Sequence, residues 1–315
     1  MINLKWIIEN ADWMFSGIGV TILGALGGLF VKKKLDNKNS QTINSGNNST
    51  NIQGREVHVN NYGLSYSDVK DIAMDVFKSN FYDLGEKVEK IVQERAEKLL
   101  DDYLEKLSSK NPKYINNTQD PDIRYVIYET QKNYARRGNQ VDENMLVEVL
   151  VNRTMVKGNC LQELVLNEAL ETIPRITPKQ IDILTLIFLN IHLNFAAEVP
   201  VEQFATLNNL IRRGLEFKNN EYITFQHLEY ASCLNISIGS TNYTKIIENK
   251  FPQIKTTDEA NKIINENSEL RFMNDLWSKS KMCNSTITSV GIAIAVANIK
   301  VKTGLDYDLG IWIKE

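Results

Sequence analysis

His227, Glu229 and Cys233 come closest to a reactive set in this sequence. A thiol beside an imidazole can act as a nucleophile. On a helix, though, the six-residue step from His227 to Cys233 does not place one side chain over the other. The plainer reading is a partly buried histidine and a core cysteine. His192 sits beside Phe188 and Ile191 and reads as a core residue, while His58 falls in a polar stretch. Asp101, Asp102 and Glu105 look like a solvated acidic face. No phosphate loop, GxSxG, HExxH or dinucleotide fingerprint occurs, and Gly291 and Gly304 lack the companions of a nucleotide loop. Cys160, Cys233 and Cys283 are widely spaced and odd in number, which fits reduced thiols rather than zinc ligands or a disulfide framework. The expected catalytic, cofactor and metal residues are none, and the reading leans away from an enzyme. Arg212-Arg213, after the helices that start near Pro178 and Pro200, could suggest a helix-turn-helix. A net charge of −3 and a pI near 5.8 argue against it, because phosphate neutralisation dominates such affinity. No nucleic acid is expected as a partner.

The stretch that places the protein lies far from these residues. Trp13–Val31 runs for 19 residues without a charge. At about 1.5 Å rise per residue, such a helix nearly matches a hydrocarbon core of roughly 30 Å. Trp6 and Trp13 precede it as interfacial aromatics, and Lys32, Lys33 and Lys34 close it. The lysine excess predicts a single-pass membrane protein, N-terminus outside and C-terminal body cytoplasmic. A signal peptide would carry its basic residues before the apolar core, not after it. A buried helix of a soluble protein is the remaining alternative. It would not normally be so rich in glycine, which costs roughly 1 kcal/mol per position in a water-soluble helix. Gly24 and Gly28 form a GxxxG, and Gly17, Thr21 and Ala25 a neighbouring small-residue face. Such faces let helices approach closely in lipid, so the expected partners are the bilayer and further copies of the chain.

Domain organisation follows from composition: an anchor over 1–34, a polar linker over 35–63, a long amphipathic helical region over 64–111 and an α-helical domain over 112–315. The linker is Asn-rich through Asn51. Ile52 to Asn60 then brings back β-branched residues with local alternation, which reads as short strands, or else the whole linker is a disordered tether. From Leu64 the spacing is helical, with Ser67 as a cap and Leu84 to Leu107 as a long apolar stripe. That stripe suits a packed helix pair or a coiled coil. Asp120-Pro121 starts a helix that Gly138 stops. Further helices are expected over about Asp142–Lys157, Cys160–Thr172, from Thr177-Pro178 with a capping box at Gln180, and over Pro200–Arg213. Tyr222–Tyr230 favours helix, with Ile223, Leu228 and Ala231 inward. One helix from Thr256 carries Leu270 to Trp277. Ser289–Lys302 reads as helix or strand, with helix favoured. Leu309–Ile313 reads as an extended end that must dock, or Trp312 would be exposed. The fold class is thus mainly α: a single N-terminal transmembrane helix, a short β-like linker and a cytoplasmic α-helical bundle.

Several stretches also carry a resemblance: Ser45 to Gly54 (SGNNSTNIQG), Gly63 through Tyr82, Phe225 to Tyr230, Leu276 to Lys300 and Ile311 to Ile313. Together they resemble an uncharacterised bacterial family, over about Ser45 to the C-terminus. The family has no assigned activity and implies no catalytic residue. The GNNSTNIQ element is similar to linkers of bacterial antiphage proteins, and Thr288-Ser-Val-Gly distantly resembles the end of the abortive-infection alpha family. The function these features imply is a membrane-anchored helical oligomer, a sensor, scaffold or membrane effector, in antiphage defence. The alternative is a tethered ligand-binding or enzymatic domain.

Overall fold

The computed structural model describes residues 63–80, 86–158, 160–194, 199–213, 215 and 222–314. The fold is mainly α-helical, as the periodicity predicts. The span Trp13–Val31, its lysines and the β-like patch lie outside the described residues. Among the described residues no helix is long and apolar enough to cross a membrane. The chain divides into two units, Met1–Glu89 and Lys90–Glu315.

The described element wholly within the first unit is helix α1, Tyr66–Asn80. It is capped at Ser65, not at Ser67. Ser65 Oγ accepts from the Asp68 amide at 3.2 Å, and Asp68 Oδ2 accepts from the Ser65 amide at 2.9 Å. Ser67 has Lys70 three residues on and cannot close that reciprocal pair.

Helix α2, Glu86–Lys110, runs on into the second unit. Its buried stripe is Val92, Ala96, Leu99, Tyr103 and Leu107, at helical spacing. Val88 and Ile91, expected to continue it, are exposed. Helix α3, Pro121–Arg137, begins with Asp120 accepting from the Asp122 amide at 2.9 Å and ends at Gly138, whose φ of 54° a side chain would resist. Helices α4 (Glu143–Met155), α5 (Cys160–Thr172), α6 (Pro178–Ile191) and α7 (Val201–Arg212) follow close to the predicted bounds.

The centre of the second unit is α6 against helix α12, Ser289–Thr303, which settles the helix-or-strand ambiguity of that segment as helix. Both are buried all round and largely apolar: Gln180 through Asn190 and Val290 through Ile299 are all buried. A helix without a polar face must lie inside, and α12 is wrapped by α4, α5, α6 and α7. Ala293, Ala295 and Ala297 keep the helix thin enough for neighbours to approach. Each fully buried Leu, Ile or Phe here contributes roughly 1.5–3 kcal/mol.

The start of α6 carries the predicted capping box. Gln180 N donates to Thr177 Oγ1 at 3.3 Å, and Thr177 N donates to Gln180 Oε1 at 2.9 Å. Thr177→Ala is expected to cost about 1 kcal/mol, lowering Tm by roughly 2–4 °C; a thermal melt of the purified chain checks it.

The later segments differ more from expectation. Helix α8, Tyr222–Tyr230, buries Phe225 and Leu228 but leaves Ile223 exposed. Phe225, three residues before Leu228, takes the inward position instead. A three-residue strand β1, Leu234–Ile236, pairs antiparallel with β2, Ser285–Ile287, Leu234 opposite Ile287. Neither strand is legible in the sequence, because three residues carry no period. Between them lie helices α9 (Tyr243–Lys250), α10 (Thr257–Glu266) and α11 (Ser268–Lys279). The single helix expected from Thr256 is two. Asn267 breaks it by accepting from the amides of Glu269 and Leu270 at 3.0 and 3.1 Å, an N-cap for α11. The C-terminal segment docks as expected but is not extended: Leu309–Ile311 is a 3-10 turn.

Candidate functional site

The sequence-selected reactive set does not assemble. Cys233 is fully buried, and burial pushes its thiol up to about 12, so it carries no thiolate at neutral pH. His227 is exposed, with Nδ1 2.9 Å from Gln180 Nε2, which also donates to the Thr224 carbonyl at 3.0 Å. Glu229 accepts from the Ile236 amide at 2.8 Å and so braces β1. Asp102 takes Lys98 at 3.2 Å, an ordinary exposed i,i+4 pair. Arg212 is held by Glu269 and lies 4.0 Å over the Phe272 ring, a structural role and not a phosphate contact. Gly304 is the left-handed cap of α12. His58 and the anchor residues Trp13, Gly17, Thr21, Gly24, Ala25, Gly28, Val31, Lys32, Lys33 and Lys34 lie outside the described residues.

What replaces that set is a series of buried ties. Asp182 on α6 accepts at Oδ1 from Asn298 at 3.0 Å and from Lys302 at 2.5 Å, both on α12. Asn298 Nδ2 also reaches Thr185 Oγ1 at 2.8 Å. Burial raises the Asp182 carboxyl more than Lys302 and Asn298 lower it. Asn190 of α6 donates to Asn208 Oδ1 of α7 at 2.7 Å. Glu148 is 1% exposed and pairs with Lys106 at 2.5 Å, although its oxygens lie outside hydrogen-bond geometry. The ion pair is the operative contact, since charge attraction tolerates poor angles.

At the far end of α6, the residue read as a satisfied core histidine is not satisfied. His192 is half-buried, stacked on Phe188 at 6.1 Å, and its Nε2 is buried without a hydrogen-bond partner. Burial, then the Lys250 charge, lowers its pKa. Lys250 donates to the Leu193 carbonyl and lies 5.6 Å from the centre of the Phe204 ring; burial brings its pKa down to about 8. It thereby caps the carbonyl end of α6, where cations are stabilised.

The feature best suited to receive a ligand is an open cleft between α3 and α5. It is lined by Asp122, Tyr125, Glu129, Asn133, Asn167 and Glu171. Its carboxylates already have cations: Arg153 lies 2.5 Å from Asp122, Lys132 2.9 Å from Glu129 and Arg175 3.8 Å from Glu171. Burial first, then Glu129 and Glu171, raises the Tyr125 phenol, which stays a hydrogen-bond donor. The cleft offers a phenol, two side-chain amides and three cation-paired carboxylates, a polar lining without an excess of either charge. Sequence reasoning missed it. The signal is present at helical spacing along α3 (122, 125, 129, 133) and α5 (167, 171), but it has the same pattern as a solvated face. Among the described residues no His, Cys, Asp and Glu group has the arrangement to hold a metal ion.

A model of an uncharacterised protein family matches residues 63–260 and 253–313. No curated protein and no solved structure matches the chain.

Proposed function

The chain belongs to that uncharacterised family, and on this premise we propose that it is a membrane-anchored, self-associating helical protein, a scaffold or sensor rather than an enzyme. The observation that carries the reading is the charge-free stretch Trp13–Val31 closed by three lysines, with small residues at Gly17, Thr21, Gly24, Ala25 and Gly28. The interior of the body supports it. Asp182, Glu148 and Lys250 are each engaged in a tie between elements, and none is held ready for a substrate. The likeness of GNNSTNIQ and of Thr288-Ser-Val-Gly to segments of antiphage and abortive-infection proteins supports a role in bacterial defence. The lysine flank supports a body on the cytoplasmic side of the inner membrane.

The test is fractionation and cross-linking of the full chain expressed in a bacterium. It is expected in the inner-membrane pellet, released by detergent and not by salt, and as a cross-linked multimer. Gly24→Ile with Gly28→Ile should reduce the multimer severalfold and leave the protein in the membrane. Recovery of the native chain in the high-speed supernatant would sink the anchor; an unchanged ladder would sink the helix contact.

A second reading, a tethered ligand-binding body, is favoured by the α3–α5 cleft. A cationic amine would enter it by displacing Lys132 from Glu129 and Arg175 from Glu171, both of which are partly exposed pairs. A polyamine that raises the Tm of the wild-type chain, but not of a Glu129→Gln, Glu171→Gln variant, supports it.

A further inference from the structure

Given a membrane-anchored chain, the reading on which this rests, we propose that the body docks on the lipid surface through the end of α8 and the turn after β1, with Ile238 as the inserted tip. Ile238 is fully exposed and Tyr230 is 88% exposed. Ile223, seven residues before Tyr230 and so on the same side of α8, is 76% exposed. Glu229 holds the two elements together, since its carboxylate accepts from the Ile236 amide at 2.8 Å.

The tip is not a loose end. Ser237 N donates to the Asn284 carbonyl at 2.8 Å, Asn284 Nδ2 donates to the Gly239 carbonyl at 2.8 Å, and Thr241 N donates to the Cys283 carbonyl at 2.7 Å. The chain on both sides of Ile238 is thus fastened, and its side chain stands out from a braced turn. Such a side chain loses little further freedom when it binds.

The surrounding chemistry selects the occupant. No charged residue occurs from Tyr230 to Thr244 or from Met282 to Ile299, the stretches that carry β1, β2 and the turn. Glu229, Lys245, Lys281 and Lys300 flank them. Glu229 is turned onto the Ile236 amide, Lys245 pairs with Glu248 and Lys300 with Asp306, while Lys281 lies 5.7 Å from the centre of the Tyr222 ring. An aliphatic tip, tyrosines and a lysine suit the boundary between headgroups and acyl chains. A protein partner would need a hole shaped for a protruding isoleucine, whereas acyl chains close around any shape. The anchor makes the encounter intramolecular. Residues 35–62 separate Lys34 from Gly63. Even fully extended, at up to about 3.6 Å per residue, they hold Gly63 within roughly 100 Å of the bilayer.

The test uses the full chain reconstituted in phosphatidylcholine–phosphatidylglycerol vesicles, with a fluorophore on Ile238→Cys in a Cys160→Ser background. A lipid spin-labelled high on its acyl chain should lower the emission about threefold, because interfacial apolar side chains reach that depth. A fluorophore on Leu164→Cys of α5, another exposed apolar position, should be unaffected. With the fluorophore moved to Ser240→Cys, adding Ile238→Asp should abolish the quenching. The docking is overturned by an unquenched fluorophore on Ile238→Cys, by equal quenching on Leu164→Cys, or by quenching that survives Ile238→Asp. Shielding from aqueous iodide without lipid quenching means that protein covers the face, and overturns it as well. Flotation of the same vesicles reads the anchor separately. A chain that floats with an unquenched fluorophore loses the docking alone; one that does not float loses both.

Discussion

Gly291→Ala is expected to lower stability by about 3 kcal/mol, at the upper end of the range for overpacking, and Tm by roughly 6–12 °C. Gly291 lies in the first turn of α12, where Thr288 Oγ1 accepts from its amide at 3.2 Å. A Cβ there would fall well inside contact with the Cys233 carbonyl oxygen and 2.6 Å from Ile287 Cγ1. The backbone carbonyl cannot give way. The Cys233 carbonyl already accepts from the Thr288 amide at 3.0 Å, Thr288 Oγ1 donates to the Ser232 carbonyl at 2.6 Å, and Ser232 itself sits at a φ of 59°. A non-glycine residue in that region is already strained. Gly304→Ala is the control. Its φ of 76° is positive, unlike that of Gly291, but nothing lies within 4 Å of an added Cβ, so only the left-handed backbone cost of about 1–2 kcal/mol is expected. Thermal melts of both variants beside wild type decide it; equal losses would mean that the close approach at Cys233 does not matter.

Asp182→Leu should cost about 3 kcal/mol, because it removes one partner of a buried ion pair and leaves the other. Lys302 loses its carboxylate and Asn298 keeps only Thr185. The lysine side chain is 30% exposed and can partly rehydrate, which holds the loss to the lower end of its class. The double variant Asp182→Leu, Lys302→Met should recover most of the loss, since apolar residues of similar volume suit this interior. The carboxyl also sets a pH dependence. Its folded value is raised above the ordinary 3.8, so its contribution is fully present below that value and declines as pH rises through the folded one. Asp182→Leu should lack that decline. Denaturant titrations at pH 4 and pH 7 measure both effects; a double variant as unstable as the single would refute the pairwise account.

These residues also show where sequence reasoning reached and where it stopped. Thr177-Pro-Lys-Gln180 announced the start of α6, because a capping box is local chemistry within four residues. Cys160–Thr172 came out at its true bounds because its breakers are local too, Gly158 before it and Pro174 after it. The periodicity of Val290 to Ile299 left helix and strand open, because a helix buried on every side has no polar face to mark its pitch. Ile223 was placed inward by spacing alone, yet Phe225 took that place, since the direction of the core is set by α6 and not by α8. The Asp182–Asn298 tie joins residues 116 apart. Nothing in either neighbourhood signals the other. The cleft residues of α3 and α5 were hidden differently: their types are those of any wet surface, and only the packing of two helices turns them into a concave wall.

The three-pair ladder of β1 and β2 has a further consequence. Residues 237 to 284 leave the body and return to it at one place, with Ser237 N on the Asn284 carbonyl at 2.8 Å and Thr241 N on the Cys283 carbonyl at 2.7 Å. Everything between is an excursion whose two feet stand one strand spacing apart, about 4.8 Å. Chain added at an exposed turn within it, such as Gly239, leaves those feet in place, and closure entropy changes only slowly with its length. Helices α9 and α11 are not exchanged so freely, because Lys250 holds the Leu193 carbonyl beyond α6 and Glu269 holds Arg212 of α7.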